Sequence, residues 1–226
     1  MTRYIPFSHY DPYIKNALND VAMSYVRRTG ESIAWLSGWS KPTVNIGRGQ
    51  LVENVVNTKA VQKDDVAVIQ RQGGGGAVYL QPGCELSWSL VTPSKERADS
   101  HKAIYEEVCG QLVSFLSSIN ISAEHEPVND VVTSKGKVSG GTLYESDGVV
   151  YTGATMLYDV HPETMQRYLQ DIDPSRVDAI TNHTDIRFDE ACKQFKHTVI
   201  DEADESMWTN DEMQRAKKHA ETYQNR

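Results

Sequence analysis

Cysteine is scarce: three in 226 residues, at Cys84, Cys109 and Cys192. They are odd in number and far apart, which excludes a disulfide framework and any cysteine spacing for a metal; they read as buried free thiols. Long apolar runs are absent, and none approaches the roughly 20 residues a helix needs to cross a bilayer, so no membrane partner is expected. The opening MTRYIPFSHYDPY has no apolar signal core, which makes the cytoplasm the expected compartment. Basic residues are outnumbered, 23 Lys and Arg against 31 Asp and Glu, for a formal net charge of −8. Nucleic-acid binding usually needs a basic face, so no nucleic-acid partner is expected; a local basic pocket for a small anion stays open.

What is present is the composition of a globular chain, 39% hydrophobic and 24% charged, without repeat, low-complexity tract or clear linker. One domain over residues 1–226 is expected. Residues 11–29 predict a helix, with Asp11 as N-cap, Pro12 in the first turn, Gly30 at the stop, and Ile14, Leu18, Val21, Ala22 and Tyr25 on one face. SIAWLS and PTVNIG read as strands joined by the turn-like GWSK; VAVIQR and GAVYLQ are further strands around four glycines. ELSWSLV alternates, Leu86, Trp88 and Leu90 against Ser87 and Ser89, as a half-buried strand does.

A second helix is predicted near 100–119, capped by Ser100, with Ile104, Val108, Leu112, Phe115 and Ile119 as its stripe. DVVTS, KVSGGTLY and VVYTGATMLY are β segments with hairpin turns between them, and Asp147-Gly148 is a strong turn pair. The last third is helical, and Thr209 with Glu212 makes a capping box. The fold class is therefore α+β, with a largely antiparallel or mixed sheet packed with helices.

Gly73, Gly74, Gly75 and Gly76 together need a reason, since glycine costs roughly 0.5–1 kcal/mol relative to alanine inside regular structure. A run of free N–H groups makes an anion nest, and the adjacent Arg71 offers a fork for phosphate or carboxylate. On this loop alone, a flexible hairpin and a ligand loop stand level. It is neither a Walker loop nor a dinucleotide fingerprint, because no Gly-Lys-Ser/Thr follows and the next element reads as a strand. A second constellation, VNDVVTSKGKVSGGTLY, brings Asn129, Asp130, Lys137, Ser139, Gly140 and Gly141. Asp130 is a hard oxygen donor suited to magnesium beside a phosphate, and Lys137 a point charge for a carboxylate, acyl carbonyl or α-phosphate; a surface hairpin with one solvated lysine is the plain alternative.

Together these stretches resemble the lipoate–protein ligase family, which shares a catalytic-domain superfamily with biotin ligases. Its first motif, Arg-Arg-x-Ser/Thr-Gly-Gly-Gly-Ala-Val-Phe/Tyr-His-Asp, stands here as QRQGGGGAVYLQ at 70–81. The second, Asn-Asp-Leu followed by Gly-Lys-Lys-Ile/Val-Ser-Gly-Ser/Ala, stands as NDVV at 129–132 and GKVSGG at 136–141. His-His-Gly-Thr-Leu-Leu is matched by YTGATML at 151–157, the Pro-x-Val-x-Ile-Gly-Arg-x-Gln strand by PTVNIGRGQ, and Val-Thr-Asn by AITN at 179–182. Order and spacing hold over about residues 10–185.

The resemblance implies an enzyme that joins lipoate or octanoate to ATP, giving the acyl-adenylate, and passes the acyl group to a lysine of a lipoyl carrier domain. Such carriers are 2-oxoacid dehydrogenase E2 subunits or the glycine cleavage H protein. It implies Lys137 as the catalytic group and Asp130 as a Mg2+ ligand. Substrate and ATP would be bound by Arg71, Gly73, Gly74, Gly75, Gly76, Ala77, Val78, Asn129, Asp130, Ser139, Gly140, Gly153, Ala154 and Thr155. Val78 and Trp88 are expected to line an apolar acyl slot. The chain is expected to lack the C-terminal accessory domain of many relatives; the family also contains forms with a separate small accessory subunit. The departures are Gln70, Gly73, Leu80, Gln81, Tyr151 and Thr152, all in place of polar or differently polar family residues. The alternatives are an octanoyl or lipoyl transferase of the same fold, which works through a cysteine thioester, and a non-catalytic relative that binds lipoyl-adenylate or a carrier. No cysteine lies in 120–160, which weighs against the transferase.

Overall fold

The computed structural model describes residues 2–98, 100–170 and 172–224. Chain order is β1 (Thr2–Tyr10), α1 (Pro12–Thr29), β2 (Ser32–Trp39), β3 (Thr43–Ile46), α2 (Val52–Val55), α3 (Thr58–Lys63), β4 (Ala67–Gln70), β5 (Val78–Leu80) and β6 (Glu85–Pro93). Then follow α4 (His101–Ser118), β7 (Glu124–Glu126), β8 (Asp130–Thr133), β9 (Gly136–Ser146), β10 (Val149–Leu157), α5 (Pro162–Tyr168), α6 (Phe188–Val199), β11 (Ala203–Glu205) and α7 (Asn210–Gln224). Among the described residues no helix is long and apolar enough to cross a membrane.

The helix ends follow local chemistry. The Asp11 carboxylate accepts the Tyr13 amide at 3.0 Å, Pro12 opens α1, and Gly30 closes it at φ 72°, a conformation that costs glycine no Cβ clash. Ser100 Oγ accepts the Ala103 amide at 3.2 Å at the head of α4. Thr209 and Glu212 exchange the two bonds of a capping box at 2.8 and 3.2 Å.

The strands form an eight-stranded sheet, in the order β11-β1-β2-β6-β10-β9-β8-β7, and a three-stranded sheet, β4-β3-β5. The α+β class and the largely antiparallel, mixed sheet match expectation. β1 runs parallel to both β2 and β11, and β3 runs parallel to β4. β1 went unread because its pattern is broken at Pro6. The β1–β2 register shifts between Ile5 and Ser8, where the missing proline N–H is accommodated.

Three local expectations change. The strands on either side of GWSK belong to different sheets. β4 and β5, which flank the glycines, do not pair with each other; each bonds one edge of β3, so the hairpin reading of the glycine segment is removed. β6 is not half-buried. Leu86 and Trp88 pack into a core with α4 and α6, where Trp88 and Phe115 lie 5.8 and 4.9 Å from Phe195. Ser87 and Ser89 are buried as well, because α1 covers β6, with α7 packed on α1 through Ala17, Leu18, Ala216 and Ala220.

Candidate active site

One cavity of about 540 Å³ lies between the glycine segment, the middle strands of the large sheet and α1. Arg71, Gly73, Gly75, Gly76, Ala77 and Val78 border it from the small sheet, and Asn129, Asp130, Lys137, Ser139 and Gly140 from β8 and β9. Gly153, Ala154 and Thr155 border it from β10. Two stretches some sixty residues apart in sequence thus share one chamber. Gly74 is the expected residue that does not border it; its carbonyl is bound from behind.

That carbonyl explains Arg71. Its Nε and Nη2 donate to Gly74 O at 3.1 and 2.8 Å, Nη2 also to Gly76 O at 2.8 Å, and Nη1 to Asn45 O at 3.2 Å. The fork expected to hold a phosphate is spent on the loop's own backbone, and burial lowers the Arg71 pKa from its ordinary value. Gly75 sits at φ +96°, which an L side chain rarely adopts, and a Cβ there would lie 2.8 Å from Arg71 Nη2. With the carbonyls tied back, the amides of Gly74 and Gly75 donate to no protein group among the described residues. The anion-binding role expected of the loop therefore falls to its backbone, with Arg71 as its brace.

On the facing wall, Lys137 Nζ meets Asp130 Oδ1 at 2.6 Å. Asn129 fastens the start of β8 to the glycine pair of β9. Its Nδ2 donates to Gly141 O at 2.6 Å, and Gly141 N donates to Asn129 O at 2.7 Å. Ser139 Oγ donates to Thr155 O at 2.9 Å, so this hydroxyl ties β9 to β10. Asp130 is engaged by Lys137, and no group of three or more His, Cys, Asp or Glu that could hold a metal occurs among the described residues. Arg176 also borders the cavity, beside the short pairing of Lys137 with Val177.

The departures from the family pattern are filled by other contacts. Gln70 Nε2 donates to the carbonyls of Arg48 and Gln50 at 3.1 and 2.9 Å. Where a side chain would stand at Gly73, the Thr142 hydroxyl already does: a Cβ built there would fall 2.0 Å from Thr142 Oγ1, which donates to Gly74 O at 3.2 Å. Leu80 is fully buried in the small-sheet core, and the Gln81 amide donates to Cys84 Sγ at 3.0 Å. The Tyr151 hydroxyl lies 3.1 Å from Ser89 Oγ, and burial raises its pKa. Thr152 is buried.

Val78 and Trp88 both border the cavity, but Trp88 turns its ring to Phe195 in the helix-side core. Ser87 and Ser89 border the cavity too, joined by Lys15, Asn16 and Asn19 of α1 and by Trp35, Trp39 and Tyr151. Sequence reasoning missed the α1 residues because Lys15 and Asn16 adjoin an apolar stripe and read as its solvated side.

The probable lipoate-protein ligase A of Mycoplasma pneumoniae is 31% identical over 159 residues, 70% of this chain and 46% of that protein. The chain spans about half the length of most of the curated relatives it matches. A bipartite lipoate protein ligase from Thermoplasma acidophilum, described with its E2 lipoyl domain, superposes with a TM-score of 0.85 at 20% identity, over 98% of this chain and 92% of that one. A lipoate-protein ligase A bound with ATP gives the same TM-score and identity, over 98% and 95%. At that identity these two establish the fold. The lipoyl protein ligase A/B catalytic domain profile matches residues 11–202, and by that match the chain belongs to this family.

Proposed function

We propose that this chain activates a lipoate-class acid with ATP and transfers the acyl group to a lysine of a lipoyl carrier domain. The observation that carries the reading is the shared cavity, with the braced glycine amides on one wall and Lys137 on the other. A carboxylate oxygen of the acid attacks the α-phosphorus of ATP, the bond to pyrophosphate breaks, and the acyl-adenylate remains. The carrier lysine amine then attacks the acyl carbon and AMP leaves. Lys137 offsets charge on the carboxylate and α-phosphate, and later on the carbonyl oxygen, where a preplaced cation is worth most. The Gly75 amide is a donor for the same phosphate.

Magnesium would enter with the nucleotide. The carboxylate of Asp130, with Oδ2 left by the Lys137 contact, suits an ion held mainly by water and phosphate oxygens. The ion would neutralise phosphate charge.

The transferase alternative needs a thiolate in the cavity. None of the three cysteines borders it, and burial pushes Cys84, Cys109 and Cys192 up to about 12, 11 and 12. The deciding assay mixes the protein with lipoate, ATP–magnesium and an apo lipoyl domain, with and without a candidate accessory subunit. Pyrophosphate release and a mass increase of the carrier are expected. Carrier modification from an acyl-carrier thioester without ATP would overturn the ligase reading, and absence of both adenylate and transfer would leave a binding role.

A further inference from the structure

The α1 side of the cavity is polar where a hydrocarbon tail would call for apolar walls. Lys15 is buried, with Nζ 3.4 Å from both Glu85 Oε1 and Ser37 O, and 4.1 Å from the centre of the Trp39 ring. Asn16, Ser87 and Ser89 are each at most 6% exposed, and all border the cavity. Four cavity-bordering side chains carry buried atoms without a hydrogen-bond partner: Asn16 Nδ2, Trp39 Nε1 and Asn45 Oδ1, and Trp88 Nε1, whose ring turns to the helix-side core. Glu85 Oε2, just beneath, is also unpartnered. Buried polar groups nearly always find partners, so a concentration of unmet ones on a cavity wall marks where a ligand supplies them.

Position adds the second part. Glu85 opens β6 and pairs with Leu157 of β10, while Lys137 lies on β9, the next strand. Two strand spacings, roughly 10 Å, separate the polar wall from Lys137. An acid with its carboxylate at Lys137 would reach that wall with the far end of its chain. The unmet atoms there are N–H donors of Asn16 and Trp39 and oxygen acceptors of Asn45 and Glu85, and the Lys15–Glu85 pair leaves the wall without net charge. Its complement is a neutral hydroxyl, which both accepts and donates.

We propose that the acid this chain activates carries a hydroxyl at the far end of a medium-length chain, and is bound in preference to acids ending in hydrocarbon or a dithiolane. This rests on the ligase reading, which places the carboxylate at Lys137; the activation step itself is unchanged.

The test is calorimetric binding of 8-hydroxyoctanoate, octanoate and lipoate to the full chain, followed by acid-dependent pyrophosphate release with ATP–magnesium. The hydroxy acid is expected to bind at least tenfold more tightly than octanoate, and Asn16→Leu with Ser87→Val to remove or invert that ratio. Octanoate or lipoate binding as tightly as the hydroxy acid, with pyrophosphate released, overturns the tail assignment and leaves the ligase reading standing. Failure of all three acids to bind overturns both. Should the double variant not fold, the wild-type ratio alone decides.

Discussion

Lys137 Nζ lies 2.6 Å from Asp130 Oδ1, across a strand pair whose register shifts between Val131 and Val132. The bulge adds twist at the point where the ion pair enters the cavity. Lys137 is thereby held by a carboxylate that an anionic ligand group can replace, so its charge is available to a ligand without being left bare beforehand.

Lys137→Ala should lower acid-dependent pyrophosphate release by about 100- to 1000-fold, the usual loss when a preplaced stabilising group is removed. The melting temperature should barely change, because the pair is partly solvated. Full retained activity would show that the chemistry sits elsewhere.

Gly73 and Thr142 should be energetically coupled. Gly73→Ser alone places a side chain on the Thr142 hydroxyl and should destabilise the protein. Combined with Thr142→Ala, which removes the 2.0 Å clash with Oγ1 and leaves the position-142 Cβ and Leu143 O at 3.2 and 3.3 Å, the pair should be more stable than the two single changes predict, by about 0.5–3 kcal/mol. Urea denaturation of the four proteins measures this, and simple additivity would refute it.

Glu85 should make stability depend on pH. Burial is the main cause that raises its carboxyl from the ordinary value of 4.5 to about 7, partly countered by Lys15. Between those values the folded protein binds more protons at Glu85 than the unfolded chain does. Stability from this group is therefore full below 4.5 and falls as pH rises through about 7. Glu85→Gln should flatten this part of a profile of urea midpoints from pH 5 to 8, and an unchanged profile would count against it.

The glycine segment should sense α7, although α7 lies beyond residues 11–202. Tyr223 Oη donates to Asp20 Oδ2 at 2.6 Å, and Gln72 Nε2 donates to Tyr223 Oη at 3.2 Å. Tyr223→Phe should raise amide exchange at residues 72–76 and increase KM for the acid while kcat changes little. A uniform loss of stability without a KM effect would reduce the contact to packing.

Much of the site was readable because its signals are local. Four glycines beside Arg71, and Lys137 after a turn, are visible in any stretch of chain long enough to contain them. The same locality explains α1 and α4, whose caps at Asp11, Gly30 and Ser100 act within one turn. What each side chain does there was less readable. Arg71 as a donor fork suits a phosphate or a carbonyl equally well, and only the position of Gly74 O and Gly76 O assigns it to the backbone.

Residue order by itself determined the five longer helices but not α2 and α3, most of the strands and the set of motifs that places the chain in its family, because periodicity, caps and motif spacing are properties of neighbouring residues. Tertiary structure decided that β4 and β5 meet through β3, that the serine side of β6 is covered, and that Lys15 and Asn16 face a cavity. Each depends on segments distant in the chain: β3 between β4 and β5, α1 over β6. Alternation can say that a strand has two faces, but what lies against each face is set by packing, and here packing put the polar face of β6 toward the cavity.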